Sequence, residues 1–187
     1  MDKLLQFLHS IHALSPALLA HLRLITRVKT ISRKEFLLKA GHVCRQICFV
    51  EKGLLRSFYL KNEQEISSRF MREGEVIVSL SSFFRQLPSD ECIQALEDCE
   101  LLCMDYTDLQ YTCRHFPEFH QFTRVLTEQY FQRNEQMLYA LRLQRSHERY
   151  AYLMEQHPYL IQRVPSKYLA SYLGITDVTL SNIKSRI

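Results

Sequence analysis

The chain has 187 residues, 47% of them hydrophobic and 24% charged, with a formal net charge of +4; it is long enough to bury a real core and too apolar to be disordered. No run approaches the roughly 18 apolar residues of a membrane helix, and Asp2 and His9 interrupt an opening that a secretory signal would keep basic and then apolar. The expected setting is cytoplasmic, with no membrane partner. Residues 1 to 141 hold 17 basic and 17 acidic side chains, whereas residues 142 to 187 hold 7 and 3. The whole excess lies in the last quarter, as a nucleic-acid-binding module joined to a neutral partner would place it, although a solvated basic face gives the same bias.

Residues 2 to 25 space Leu4, Leu5, Leu8 and Ile11, then Leu18, Leu19, Leu22 and Ile25, around Ser15-Pro16. The pattern predicts two short helices, the second capped by Ser15 with Pro16 at its first position. From Val28 to Tyr106, runs rich in Val, Ile, Phe and Tyr alternate with turns at Ala40-Gly41, Lys52-Gly53, Lys61-Asn62, Glu73-Gly74 and Pro88-Ser89. That texture predicts an antiparallel sandwich or barrel.

Six cysteines (Cys44, Cys48, Cys92, Cys99, Cys103, Cys113) in a chain without a secretory signal are expected to be reduced and buried rather than a disulfide framework. The pairs Cys44/Cys48 and Cys99/Cys103 have metal-compatible spacing, but both lie in strand-like runs where an i,i+4 pair simply shares one side of a sheet. Neither a metal nor a cofactor is expected. Only His42 lies between Thr30 and Asp105, so the histidine cluster of a cupin-type enzyme is missing and no catalytic residue is assigned.

After Pro117 neither Gly nor Pro recurs until Pro158, and Phe119, Phe122, Leu126, Tyr130, Met137 and Leu141 fall at helical spacings. A long dimer-forming helix is expected, with Phe122, Leu126, Tyr130, Met137 and Leu141 at its interface; core packing within one monomer is the competing reading. Ser146 is the expected break and cap, with a further helix from about His147 to Gln156.

The final stretch, VPSKYLASYLGITDVTLSNIKSRI, carries the functional signal. Ser166 can cap a short helix holding Tyr168, Leu169, Ala170 and Leu173; Gly174 permits a sharp turn; Thr176 or Asp177 can cap a second helix whose Leu180 and Ile183 face inward. Two short helices across a tight turn make a helix-turn-helix, the first crossing the phosphate backbone and the second entering the major groove. Ala170 is small enough for the helices to approach. The candidate DNA-binding set is Ser166, Lys167, Tyr168, Thr176, Asp177, Val178, Thr179, Ser181, Asn182, Lys184 and Arg186. Asn182 suits adenine, Val178 or Thr179 a thymine methyl, and Lys167, Lys184 and Arg186 phosphates. An ordinary helical hairpin is the alternative.

These residues resemble the cyclic-AMP receptor and fumarate-nitrate regulator (Crp/Fnr) family, in its Bacteroidetes form, over nearly the whole chain. EFLLKAGHVCRQICFVEKGLLRSFYL is similar to the opening strands of that family's cyclic-nucleotide-binding-like β-roll, SSRFMREGEVIVSLSSFF and IQALEDCELLCMD to its later strands, and SHERYAYLMEQHPYLIQRVPSKYLASYLGIT to its DNA-binding domain. The resemblance implies an α+β protein: N-terminal helices and β-roll as an effector domain over 1–116, a dimerisation helix over 117–145, and a C-terminal all-α helix-turn-helix over 146–187. It further implies a homodimeric transcription regulator on a palindromic DNA site, with RNA polymerase as a further partner. By family position the effector pocket falls on Arg56, Gly74, Glu75, Ser79, Ser82 and Ser89.

The departures from that pattern are specific. Nucleotide-responsive members hold the ribose with a Gly-Glu pair where this chain has Val78 and Ser79, and the cyclic phosphate with Arg-Ser or Arg-Thr where it has Ser89 and Asp90. A carboxylate there would repel a phosphate diester, so no cyclic-AMP response is expected and any small-molecule effector is a different one. No cysteine precedes Cys44, so the family's iron-sulfur cluster is not expected. In the second helix, Asp177, Val178 and Asn182 stand where this branch usually offers Pro-Glu and then Arg; their loss should shift readout toward A·T-rich sequence or weaken direct readout altogether. The sequence stops at Ile187, leaving no wing to follow. A ligand-sensing or protein-interaction module with degenerate DNA recognition is therefore the alternative function.

Overall fold

A computed structural model describes residues 1–142 and 145–185. Two helices open the chain, α1 (Asp2–Ile11) and α2 (Pro16–Ile25). Ser15 caps the second, its Oγ accepting the Leu18 N–H at 3.1 Å.

Eight strands follow among the described residues: β1 (Arg27–Ile31), β2 (Phe36–Leu38), β3 (Gln46–Lys52), β4 (Leu55–Lys61), β5 (Gln64–Met71), β6 (Val76–Ile77), β7 (Glu91–Ala95) and β8 (Cys99–Asp105). They form two antiparallel four-stranded sheets, β1-β8-β3-β6 and β2-β7-β4-β5. Cys48, Val50, Leu55, Met71, Ile93 and Leu101 fill the space between the sheets, and Leu8, Leu18 and Leu22 close one side of it. The turns fall where Gly41, Gly53 and Gly74 supply positive φ, and Asn62 with Glu63 makes the left-handed pair of the β4–β5 hairpin. One expected strand is a helix instead. Residues Leu80–Arg85 wind into α3, which buries Phe83 and lets Ser82 Oγ accept the Cys44 N–H at 2.9 Å.

The cysteine expectation is also corrected. Cys48 and Cys103 sit directly opposite each other in the β3–β8 ladder, 4.0 Å apart at Cα, and form a disulfide. Cys44 precedes β3 rather than sharing its strand, and Cys44, Cys92, Cys99 and Cys113 are free thiols. Burial raises the pKa of Cys99 to about 11 despite the Leu54 and Glu97 carbonyls it faces, so it stays protonated and inert. No group of three or more His, Cys, Asp or Glu that could hold a metal occurs among the described residues.

The remainder is helical: α4 (Tyr106–His115), α5 (Phe119–Arg142), α6 (Ser146–Gln156), α7 (Pro158–Arg163), α8 (Ser166–Leu173) and α9 (Asp177–Lys184). Helix α6 starts one residue earlier than expected, with Arg145 at the cap and its N–H reaching the Glu148 carboxylate at 3.4 Å. No helix among the described residues is long and apolar enough to cross a membrane.

A second core explains why the last helices do not hang free. Leu54, Phe70 and Leu96 of the roll join Tyr150, Leu153, Leu160, Val164, Leu169 and Leu173 in one buried cluster. Strand β4 is consequently buried on both faces over Leu55–Phe58, because the sheet interior covers one face and α8 the other. Strand β5 ends its sheet, and the Ser67 N–H on it donates to Ser171 Oγ of α8 at 3.1 Å.

Candidate nucleic-acid interface and the trench along the long helix

Helices α8 and α9 meet across Gly174, whose φ of +65° is the left-handed conformation that ends the first helix. The Ile175 N–H donates back to the Ala170 carbonyl at 3.0 Å, satisfying an end-of-helix acceptor. Thr176 caps α9, its Oγ1 accepting the Thr179 N–H at 3.1 Å. Leu169, Ala170, Leu173, Leu180 and Ile183 turn inward. Ala170→Leu should cost about 1–3 kcal/mol of stability in urea unfolding, because the buried contact has no room for three more carbons; a loss below experimental error would show that the helices are not closely packed there.

The outward face of α9 presents Asp177, Val178, Ser181 and Asn182, all exposed, with Val178 at 69%. Thr179 is half-buried, its hydroxyl 2.9 Å from that of Thr176. Ser166 is the first helical residue of α8 rather than its cap, a position taken by Pro165, and its hydroxyl accepts from Lys184 Nζ at 3.0 Å. Lys167 is exposed. The Tyr168 ring lies against Arg56 of the roll, 3.4 Å from Cζ to centroid, with Lys167 Nζ 4.6 Å from the same ring. Arg186 lies outside the described residues.

The six expected pocket residues separate into two groups. Gly74 and Glu75 line a trench of about 380 Å³ that runs between the roll and α5 to the last helices. Arg56, Ser79, Ser82 and Ser89 do not. Arg56 faces outward toward α8, where Gln94 and Glu65 take its donors. The buried hydroxyls of Ser79 and Ser89 pair with each other at 3.0 Å, and Ser82 donates to the Leu87 carbonyl. The three serine hydroxyls are already satisfied within the roll, which leaves them nothing for a ligand.

The trench itself is mostly apolar, with Phe49, Met71, Val76, Val78, Leu126 and Met137 among its walls. Two of its arginines are ion-paired: Arg69, which also donates to the Val78 carbonyl, with Glu91 at 3.2 Å, and Arg133 with Glu75 at 3.1 Å. Toward the C-terminal end, burial holds His157 below its ordinary pKa, helped by Arg133 and Arg72, and pushes Tyr159 and Tyr172 up to about 12.

Of the expected dimer residues, Leu126, Tyr130, Met137 and Leu141 line the trench. Phe122 does not, because it is fully buried in the first core with Phe119 and beside His12. Sequence reasoning missed Phe131 and Leu138, which stand 63% and 54% exposed on α5 next to Leu141 at 43%. Their seven-residue separation is the signal that would have found them.

Residues 28–116 match the cyclic nucleotide-binding domain family. Three solved structures share the fold over most of the chain. FixK2 from Bradyrhizobium japonicum aligns with a TM-score of 0.74 at 16% identity, covering 87% of this chain and 84% of that one. A Crp/Fnr-family protein from Eubacterium rectale gives 0.74 at 14%, covering 92% and 83%. CLP of Xanthomonas campestris, a c-di-GMP-responsive global regulator, gives 0.72 at 14%, covering 90% and 89%. By sequence alone, no curated relative matches the chain. Residues 28–116 thus resemble a cyclic nucleotide-binding domain, and the chain shares with these solved structures an α+β architecture in which a β-roll precedes a long helix and a helix-turn-helix.

Proposed function

We propose that the protein is a DNA-binding transcription regulator acting as a homodimer, with an effector unit over 1–116, a dimerisation helix over 117–145 and a DNA-binding unit over 146–187. The observation that carries this reading is the capped α8–Gly174–α9 unit, whose inner face is packed and whose α9 outer face is bare. Affinity for genomic duplexes, measured at several salt concentrations, tests it. A preferred site should persist, and log affinity should fall against log salt by about 0.9 per neutralised phosphate. Absence of any preferred sequence at every salt concentration would sink the reading. Such a protein works in the cytoplasm and acts through RNA polymerase.

Dimerisation is supported by α5 itself. Its 24 residues span about 36 Å, flanked by the apolar trench and carrying exposed Phe131, Leu138 and Leu141. A second copy of the helix would cover them. Leu138→Glu should convert the dimer to monomer in sedimentation and weaken binding to a two-half-site duplex by roughly tenfold or more, since a monomer engages one half-site. An unchanged sedimentation coefficient would place the interface elsewhere.

Cyclic AMP does not fit as the effector. Arg69 and Arg133 in the trench are already neutralised by carboxylates, and the polar positions beside Ser89 are closed. A second reading, a module of this fold with degenerate DNA recognition, is favoured by the α9 face, where Asp177 is exposed and Lys184 is tied to Ser166. Normal regulation by a Lys184→Ala, Arg186→Ala double variant would support that alternative.

A further inference from the structure

The trench along α5 has two chemically different ends. Its walls follow the helix from Phe119 to Leu141, about 33 Å at 1.5 Å per residue. A volume of about 380 Å³ is that of a small-ligand site, and drawn out over such a length it suits one extended chain rather than a compact ring system. Leu4 and Phe7 of α1 line one end together with Phe49, Leu102 and Met104, and the Phe7 and Phe49 rings stand 5.7 Å apart. Met71, Val76 and Met137 continue the apolar wall, the two thioethers being able to fit an irregular guest. At the other end the lining is Tyr152, His157, Tyr159 and Tyr172, with the Tyr172 ring 5.1 Å from Phe70 of the second core. None of the three phenol hydroxyls has a hydrogen-bond partner among the described residues. Burial pushes Tyr159 and Tyr172 up to about 12, so both remain O–H donors at neutral pH.

Donors without acceptors at one end of an apolar slot suit a guest that ends in an acceptor oxygen. The charges nearby decide its kind. Glu75, whose side chain is 10% exposed, already meets Arg133 at 3.1 Å and Arg72 at 3.7 Å, and a second carboxylate beside it would be repelled. Burial, with Arg133 and Arg72 close by, holds His157 below its ordinary pKa and so keeps it neutral. We propose that the trench binds an uncharged long-chain acyl compound, whose hydrocarbon lies along α5 against the roll and whose carbonyl oxygen accepts from the tyrosines of α6, α7 and α8. Ser79, Ser82 and Ser89 take no part in this site, since they do not line the trench. As the effector of the proposed regulator such a molecule rests on that reading; as a ligand of the trench it does not.

Calorimetric titration of the full chain without DNA tests it, with dodecanamide, methyl dodecanoate and sodium dodecanoate as probes. The two uncharged probes should bind once per chain and about tenfold or more tighter than dodecanoate, which must bury a charge; the tighter of the two identifies the head group. Affinity should rise about fourfold per added methylene from octanamide to dodecanamide, the gain expected when each is fully buried. Tyr172→Phe keeps the ring and removes the hydroxyl, so it should weaken dodecanamide about fivefold without moving the urea midpoint. Leu126→Trp, which fills the slot, should abolish binding. Binding by neither uncharged probe, affinity that ignores chain length, or dodecanoate binding as tightly as the amide overturns the inference. Binding unaltered by Tyr172→Phe overturns it as well, and that variant decides alone if Leu126→Trp does not fold. Absence of any preferred DNA sequence would sink the proposed function and leave the ligand result standing.

Discussion

Gly53→Ala should lower folding stability by about 3 kcal/mol or more, combining left-handed backbone strain with a steric clash. At this position φ is +100°, and an added Cβ would meet Cys99 Sγ at 2.6 Å and the Asp98 carbonyl at 2.7 Å. Neither neighbour can retreat: Cys99 is packed in the first core, and Asp98 accepts the Arg33 N–H at 2.8 Å. Gly41→Ala and Gly74→Ala are the controls, because both have positive φ but no atom within 4 Å of the new Cβ. They should cost only about 1 kcal/mol, the conformational part alone. Urea midpoints of the three variants separate the effects, and equal losses would show that the close approach at Gly53 carries no energy.

Arg163→Ala is the second large change. Arg163 joins α7 to two parts of the roll through four hydrogen bonds of 2.6–2.9 Å, two to Glu73 and two to Glu97. Its loss should cost about 2–3 kcal/mol, less than a fully buried network because both carboxylates regain water. The same contacts give the interface a pH dependence. Arg163 above all, with the Gly53 N–H among the lesser causes, holds Glu73 at about 2 against its ordinary 4.5. A carboxylate depressed in the folded state stabilises the fold above its unfolded pKa, and that contribution drains away as pH falls from about 4.5 to about 2. With the Glu73 side chain 32% exposed, solvent screening reduces its share to about 1–2 kcal/mol. Wild type and Arg163→Ala should therefore differ in urea midpoint at neutral pH and converge toward pH 2. A gap that persists unchanged in acid would mean that Glu73 is not the titrating partner.

What the sequence disclosed is local. Ser15-Pro16, the glycine turns at 41, 53 and 74, and the Gly174–Thr176 punctuation each act within a few residues, so their meaning survives without knowledge of the fold. The readings that failed depend on what a side chain meets across space. Arg56 occupies a strand position whose sidedness is legible, yet only the packing of α8 on β4 turns it toward Tyr168 instead of a ligand. Phe122 shares the helical period of the trench residues, but α1 and the first core claim it. Cys48 and Cys103 lie 55 residues apart, and no spacing rule reveals that β3 and β8 align them in register. Family position points to Ser79, Ser82 and Ser89 as pocket residues, whereas their hydroxyls serve the roll itself.

Strand β5 closes its sheet, and its Ser67 N–H finds its partner on α8. Any state in which the last helices lift away bares that strand, together with Phe70 and Leu54 beneath them. An uncovered strand margin beside apolar side chains is a template for pairing with another chain. The opened form should therefore be the more prone to self-association at high concentration, and cover for β5, from DNA-bound geometry or a partner, becomes a condition for keeping it in solution.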